Sequence, residues 1–162
     1  MMLRVVLGLV GVWYSLSCFA DLRPQSVGQI CSVLNDTQLR AGEWTKHKGG
    51  HEGCTSGSRR IRPDSLDGNK ISFAADGVGE APNRVELRLN VILPSDVDAA
   101  KRELLRATKR LSVRALGLSI PHMFDEAIMN GVPISLDVGS GRASLSQTVI
   151  NNQSYVLSVV ME

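Results

Sequence analysis

Residues 85–117 read VELRLNVILPSDVDAAKRELLRATKRLSVRALG, and within this stretch the hydrophobic period changes from that of a strand to that of a helix. In its first part Val85, Leu87, Leu89 and Val91 alternate with Glu86, Arg88 and Asn90, so one face is apolar and the other wetted. Pro94-Ser95-Asp96 breaks the alternation. Beyond it Val97, Ala100, Leu104, Ala107, Leu111 and Ala115 fall on one stripe of a helix. Ser95 and Asp98 have capping-box spacing, and Gly117 stands where a helix stops. A strand wetted on one face belongs to an antiparallel pair, and the amphipathic helix that follows supplies cover for its other face. The junction therefore points to an α+β domain.

Working outward strengthens this reading. Downstream, Ser119 and Pro121 open a shorter helix with Phe124, Ala127 and Ile128 facing inward, ended by Gly131. Ile134, Leu136 and Val138 then alternate as a strand, Gly139-Ser140-Gly141 turns the chain, and Ala143, Leu145 and Val149 continue it. Asn151-Asn152 marks another hairpin turn before a final strand with Tyr155, Leu157, Val159 and Met161. Upstream, Ile71, Phe73 and Ala75 make a strand, and Asp76-Gly77 begins a turn that reaches about Pro82. Ser26 caps a helix whose apolar positions are Val27, Ile30, Cys31 and Leu34. The expected order is α-β-β-α-α-β-β-β, an antiparallel sheet of about five strands packed by two to three helices. No internal repeat or linker divides residues 21–162, which are expected to form one domain.

Between Gly42 and Asp67 periodicity vanishes. Gly49-Gly50, Gly53, Gly57 and Pro63 mark a long loop, with Trp44 as its expected hydrophobic anchor. A loop of this length inside a small domain is functional or covalently held.

The N-terminus supplies the context for such a tie. Arg4 precedes an apolar run from Val5 to Leu16, and Cys18 and Ala20 place small residues at −3 and −1 of a cleavage point before Asp21. Residues 1–20 thus read as a signal peptide for export to the periplasm. The rival readings are an uncleaved anchor, for which the run is short, and lipidation of Cys18, for which Ser15 stands where the signal wants Leu. Cleavage leaves 142 residues and two cysteines, Cys31 and Cys54. In an oxidising compartment these have one intramolecular pairing, and a link of that span contributes about 3 kcal/mol in the loop-entropy picture. A redox-active or metal-binding pair is the alternative, with no C-x-x-C to support it.

Composition removes several function classes. The 162 residues are 43% hydrophobic and 21% charged, which is unlike a disordered chain, and the net charge of +2 gives no reason to expect nucleic acid as a partner. Aromatic residues, at 4%, are too sparse for a stacking platform. Catalytic motifs are also missing. Gly117-Leu118-Ser119 begins a nucleophile elbow, but Pro121 replaces its second glycine. Gly139-Ser140-Gly141 precedes a strand and lacks the lysine of a phosphate loop. His47 and His51 have the spacing of a metal pair on a helix, but the intervening Lys48-Gly49-Gly50 will not hold one. No catalytic residue, metal or cofactor is expected.

Two basic groups stand out. Lys101, Arg102, Arg106, Lys109, Arg110 and Arg114 crowd the long helix, and Lys46, Lys48, Arg59, Arg60 and Arg62 lie in the loop. Together they would make an electropositive surface for an acidic partner. A solvated helix face whose charges complement the dipole explains the first group equally well. The loop from Gly42 to Arg62 is the expected contact element, with Trp44 as anchor and Lys46, Lys48, Arg59, Arg60 and Arg62 as its charges. Trp44 can equally be a core residue packed beneath the disulfide.

A helix-borne Cys31, then Trp44, Gly53-Cys54, a hairpin, two helices and a terminal β-meander resemble the layout of small periplasmic proteins of Gram-negative bacteria. Some of these are similar to immunity proteins that neutralise toxins delivered by contact-dependent or type VI secretion. The resemblance implies a periplasmic protein-binding module, an inhibitor or immunity protein whose partner is a secreted toxin. It carries over no functional residue. An envelope-assembly or stress accessory protein is the alternative, and an enzyme of unrecognised type the third. Oligomeric state is not legible.

Overall fold

The computed structural model describes residues 21–46, 51–64 and 68–162. Residues 1–20, read above as a signal peptide and including Cys18, lie outside the described residues, as do His47 and Lys48. Among the described residues the elements run α1 (Val27–Cys31), β1 (Thr45–Lys46), β2 (Glu52–Arg60), β3 (Lys70–Val78), β4 (Ala81–Val91), α2 (Val97–Ala115), α3 (His122–Asn130), β5 (Ile134–Val138), β6 (Gly141–Val149) and β7 (Tyr155–Met161). A 3-10 turn at Pro94–Asp96 leads into α2. All seven strands join one antiparallel sheet in the order β1-β2-β3-β4-β7-β6-β5.

The α+β class read from residues 85–117 is the class observed. Val85, Leu87, Leu89 and Val91 are fully buried on one face of β4, which sits at the centre of the sheet between β3 and β7. In register with them on the same face stand Ile71, Phe73 and Ala75 of β3 and Leu157, Val159 and Met161 of β7. The helix α2 lies on β4 and β7, α3 packs beside it, and α1 reaches β3 and β4. Its stripe of Ala100, Leu104, Ala107, Leu111 and Ala115 is buried as the spacing requires. Burying these Leu, Ile, Val and Phe side chains stabilises the fold by roughly 1.5–3 kcal/mol each. Gly117 (φ +81°) and Gly131 (φ +70°) end α2 and α3 in the left-handed region that other residues avoid.

Several local expectations change. The sheet has seven strands rather than about five, because the stretch read as a loop contributes β1 (Thr45–Lys46) and β2 (Glu52–Arg60). The segment Glu52–Arg60 lacks an apolar period because its order comes from backbone pairing to the long β3, not from burial of alternate side chains. Near Gly57 a bulge shifts the register between Thr55 and Ser58, and there the Phe73 amide donates to Ser56 Oγ (2.9 Å). The strands β3 and β4 also run on through Asp76-Gly77 and Pro82, so that the turn is Gly79-Glu80 alone. Ser95 does not cap α2, since Pro94–Asp96 forms the 3-10 turn and no side chain bonds the helix start. Ser119 does not cap α3, which begins after Pro121. Ser26 does cap α1, accepting from the Gln29 amide at 3.3 Å, although the helix has only five residues. Val149, placed inward by its period, is 68% exposed where β6 outruns β5.

Candidate functional site

Cys31, at the end of α1, and Cys54, in β2, meet at disulfide distance with Cα atoms 6.0 Å apart. Both are buried, at 8% and 3% exposure, and belong to the single core cluster. The link sets α1 against the β2 end of the sheet and leaves a groove of about 400 Å³ between α1 and the segment Ala41–Trp44. Val27, Gly28 and Ser32 form one side of the groove, Cys31 its floor, and Ala41 and Trp44 the opposite side.

Trp44 is half-buried and packs on the core, so it is partly the core residue and partly the exposed aromatic that its sequence position allowed. Its Nε1 donates to the Gly79 carbonyl in the β3–β4 turn (3.1 Å) and to Glu52 Oε2 (3.3 Å). The orientation of the indole is thereby held by two elements brought together by sheet pairing, β2 and the β3–β4 turn. On the far side of Trp44 lies a second hollow of about 350 Å³, bordered by Val27, Lys46, Glu52, Gly79 and Glu80. Val27 and Trp44 wall both hollows, so the indole stands as a ridge between them.

The structure divides the expected contact residues between two places. Trp44 and Lys46 belong to this groove region, where Lys46 Nζ lies 3.2 Å from Glu52 Oε1 while remaining largely exposed. Arg59 and Arg62 sit at the other end of β2. Arg59 donates to Gln38 Oε1 (3.1 Å) and Glu103 Oε1 (2.6 Å), and Arg62 pairs with Asp96 at 3.1 Å. Arg60, adjacent to Arg59 on the strand, is exposed on the opposite face of the sheet. Lys48 lies outside the described residues. A single basic loop is therefore not what the fold assembles. Among the described residues, those flanking Trp44 are mostly acidic, with Glu43, Glu52 and Glu80 against Lys46.

The basic face of α2 is neutralised in part, Arg102 and Arg110 having no ion-pair partner among the described residues. Arg106 pairs with Glu103 (2.9 Å), Lys109 with Asp125 and Arg114 with Asp36 (2.6 Å). Lys101 is not on that face at all: it is buried at 9% exposure, and its Nζ donates to the Met129 carbonyl at the end of α3 (2.8 Å). Burial pushes its pKa down, opposed by the nearby Asp98 carboxylate. The same burial pushes the Tyr155 hydroxyl up, with Asp98 adding to the shift, and the Lys101 ammonium lies 6.0 Å from the Tyr155 ring centre.

Sequence patterning gave no sign of the groove, because α1 and Ala41–Trp44 approach only once β2 has joined the sheet. The one available signal was the cysteine pair, which brackets Trp44. Among the described residues, no group of three or more His, Cys, Asp or Glu side chains is placed to hold a metal ion. No helix among them is long and apolar enough to cross a membrane. No protein-family model matches the chain, and no curated protein or solved structure matches it.

Proposed function

We propose that this is a periplasmic protein-binding module, an inhibitor or immunity protein, that receives a side chain of its partner in the groove between α1 and Trp44. The observation that carries the reading is the groove itself: an aromatic ridge held by two hydrogen bonds above a floor tied by Cys31 and Cys54. A recognition surface gains affinity when its anchor is ordered before binding, because little freedom remains to be lost. Tryptophan is a residue type in which binding energy concentrates, and here it walls the hollows that a partner side chain would enter. The exported setting rests on the signal-like residues 1–20 and on a cysteine pair suited to an oxidising compartment.

The test places a photo-reactive phenylalanine analogue at Glu43, exposed on the rim of the groove, or at Arg60, on the opposite sheet face, in the exporting host with its neighbouring genes intact. Cross-linking of one protein from Glu43 and not from Arg60, with that protein's toxicity released on deletion of this chain, supports the proposal. An envelope-assembly protein cross-linked in place of a toxin transfers the groove to the accessory role. Equal labelling from both positions removes the groove from partner binding.

A further inference from the structure

We infer that the crevice between β2 and α2 is a binding site for an oxyanion of the phosphate-monoester class, separate from the Trp44 groove. The crevice, of about 110 Å³, is walled by Arg59 from β2 and by Glu103, Arg106 and Arg110 from successive turns of α2, with Thr37 and Leu39 closing it. Three guanidinium groups face one carboxylate there, an excess of two positive charges. Arg110 has no ion-pair partner among the described residues. A phosphate monoester dianion balances that excess, whereas a single carboxylate neutralises half of it.

The hydrogen bonding points the same way. Glu103 gives Oε1 to Arg59 Nη2 (2.6 Å) and Oε2 to Arg106 Nη1 (2.9 Å). One carboxylate divided between two guanidiniums cannot fork onto either of them. Arg59 Nε, on the same edge of its guanidinium as Nη2, is consequently left buried without a hydrogen-bond partner. An unpaired buried donor is costly and uncommon in a native protein. A tetrahedral oxyanion, with three terminal oxygens, can take the outward N–H groups of Arg106 and Arg110. By drawing Arg106 onto itself it releases Glu103 to fork onto Nε and Nη2 of Arg59. In this arrangement Glu103 serves as the resident counter-ion of the crevice and Arg59 as a positioning residue beneath it.

The exported, oxidised protein is titrated with inorganic phosphate and with phenyl phosphate, followed by calorimetry and by the Arg Nε–H resonances. Saturable binding is expected, with the Arg59 Nε–H signal moving as the crevice fills. Arg106→Ala and Arg110→Ala, both at exposed positions, should each weaken binding about tenfold, the usual effect of losing one charge-assisted hydrogen bond. Glu103→Gln still accepts from Arg59 but removes the competing charge, so it should tighten binding several-fold. Binding of phenyl phosphate at least as tight as phosphate identifies a monoester as the ligand, and preference for inorganic phosphate identifies the free ion; either supports the site. Absence of saturation with both anions, undiminished binding in Arg110→Ala, or acetate binding as tightly as phosphate overturns it.

Discussion

Arg114, in the last turn of α2, grips Asp36 with both prongs of its guanidinium, Nη1 to Oδ1 at 2.6 Å and Nη2 to Oδ2 at 2.8 Å. The same Nη1 also donates to the Val33 carbonyl at 2.6 Å. One side chain thus fastens the turns that follow α1 to the long helix, across 78 positions of sequence. A five-residue helix has no stability of its own. In this fold α1 is held by that grip on one side and by the Cys31–Cys54 link on the other, and the position of the groove depends on both.

The Asp36 carboxyl titrates well below its ordinary range as a result. The Arg114 hydrogen bond leads in lowering it from 3.8 to about 2, with the charges of Arg114 and Arg110 adding to the effect. A carboxyl whose folded pKa is depressed stabilises the fold above its unfolded value, and that contribution fades as pH falls through the folded one. The linkage window is therefore from about 4 down to about 2. Carboxyl-carbon NMR should place the Asp36 midpoint near the lower end, and Arg114→Gln should return it toward 3.8. An unchanged midpoint in that variant would show that the ion pair does not form in solution.

How much of this was legible depended on whether a segment is ordered by its own side chains. The strand β4 and helix α2 were readable because alternate burial and a helical stripe are written in Val85–Val91 and Val97–Ala115. The strand β2 was invisible because EGCTSGSRR is ordered by pairing to β3, and five of its nine residues are Gly, Ser or Thr. Where the charged side chains would lie was not legible for a related reason. Arg59 and Arg60 are neighbours in sequence, yet strand alternation sends them to opposite faces, and their partners lie on distant elements. The cysteine pair was legible because counting alone left one pairing.

Arg59 and Arg60 should accordingly respond differently to substitution. Arg59→Ser removes an ion pair at a mostly buried side chain, 22% exposed, and leaves Glu103 with one partner fewer. The expected loss is on the order of 1–2 kcal/mol, above the range of fully exposed pairs. Arg60→Ser, at an exposed position with no ion-pair partner among the described residues, should stay within about 0.5 kcal/mol of the parent protein. Urea midpoints for the two variants separate these outcomes, and equal midpoints would mean that the Arg59–Glu103 contact has no net value.

Asn69 offers a second stability prediction from a residue that patterning passed over. It is 2% exposed; its Oδ1 accepts from the amides of Ile92 (2.7 Å) and Leu93 (2.9 Å), and its Nδ2 donates to the Leu93 carbonyl (3.1 Å). It fixes the exit from β4 that aims α2 across the sheet. Asn69→Ala leaves these backbone groups unpaired in a part-buried site, at a cost of roughly 2–4 kcal/mol. Asn69→Asp keeps both acceptor contacts but sets a buried carboxylate oxygen against the Leu93 carbonyl, so thermal unfolding should place it between the parent protein and the alanine variant at acid pH, where the protonated carboxyl can donate there, and lower as the pH rises.

Reduction of the Cys31–Cys54 link should cost roughly 2–5 kcal/mol, as for native disulfides in small exported domains. The double variant Cys31→Ala, Cys54→Ala gives the same comparison without reductant. Because β2 is held to β3 by an antiparallel ladder on both sides of the Thr55–Ser58 bulge, its paired amides should remain slow to exchange when the link is cut, whereas those of α1 should open. Equal loss of protection in both elements would show that the link supports the sheet rather than the groove.

Gly28 provides the most direct way to separate the groove from the fold. It lines the groove on the face of α1, and a Cβ built there meets nothing within 4 Å. Its backbone is helical, so a larger residue is accommodated without strain, and Gly in a helix is the less favourable choice by about 0.5–1 kcal/mol relative to Ala. Gly28→Arg should therefore leave the melting temperature unchanged or slightly raised while its side chain fills the space before Trp44. Residues 21–162 contain a single tryptophan, so intrinsic fluorescence reports on that ridge alone. In the parent protein, binding of the partner should shift the Trp44 emission and reduce its quenching by acrylamide. In Gly28→Arg the quenching should already be reduced, and the partner should no longer alter it. A variant that folds, shields Trp44 and still captures the partner with parental affinity would place recognition elsewhere on the molecule, because no side chain could then share the groove with the arginine that occupies it.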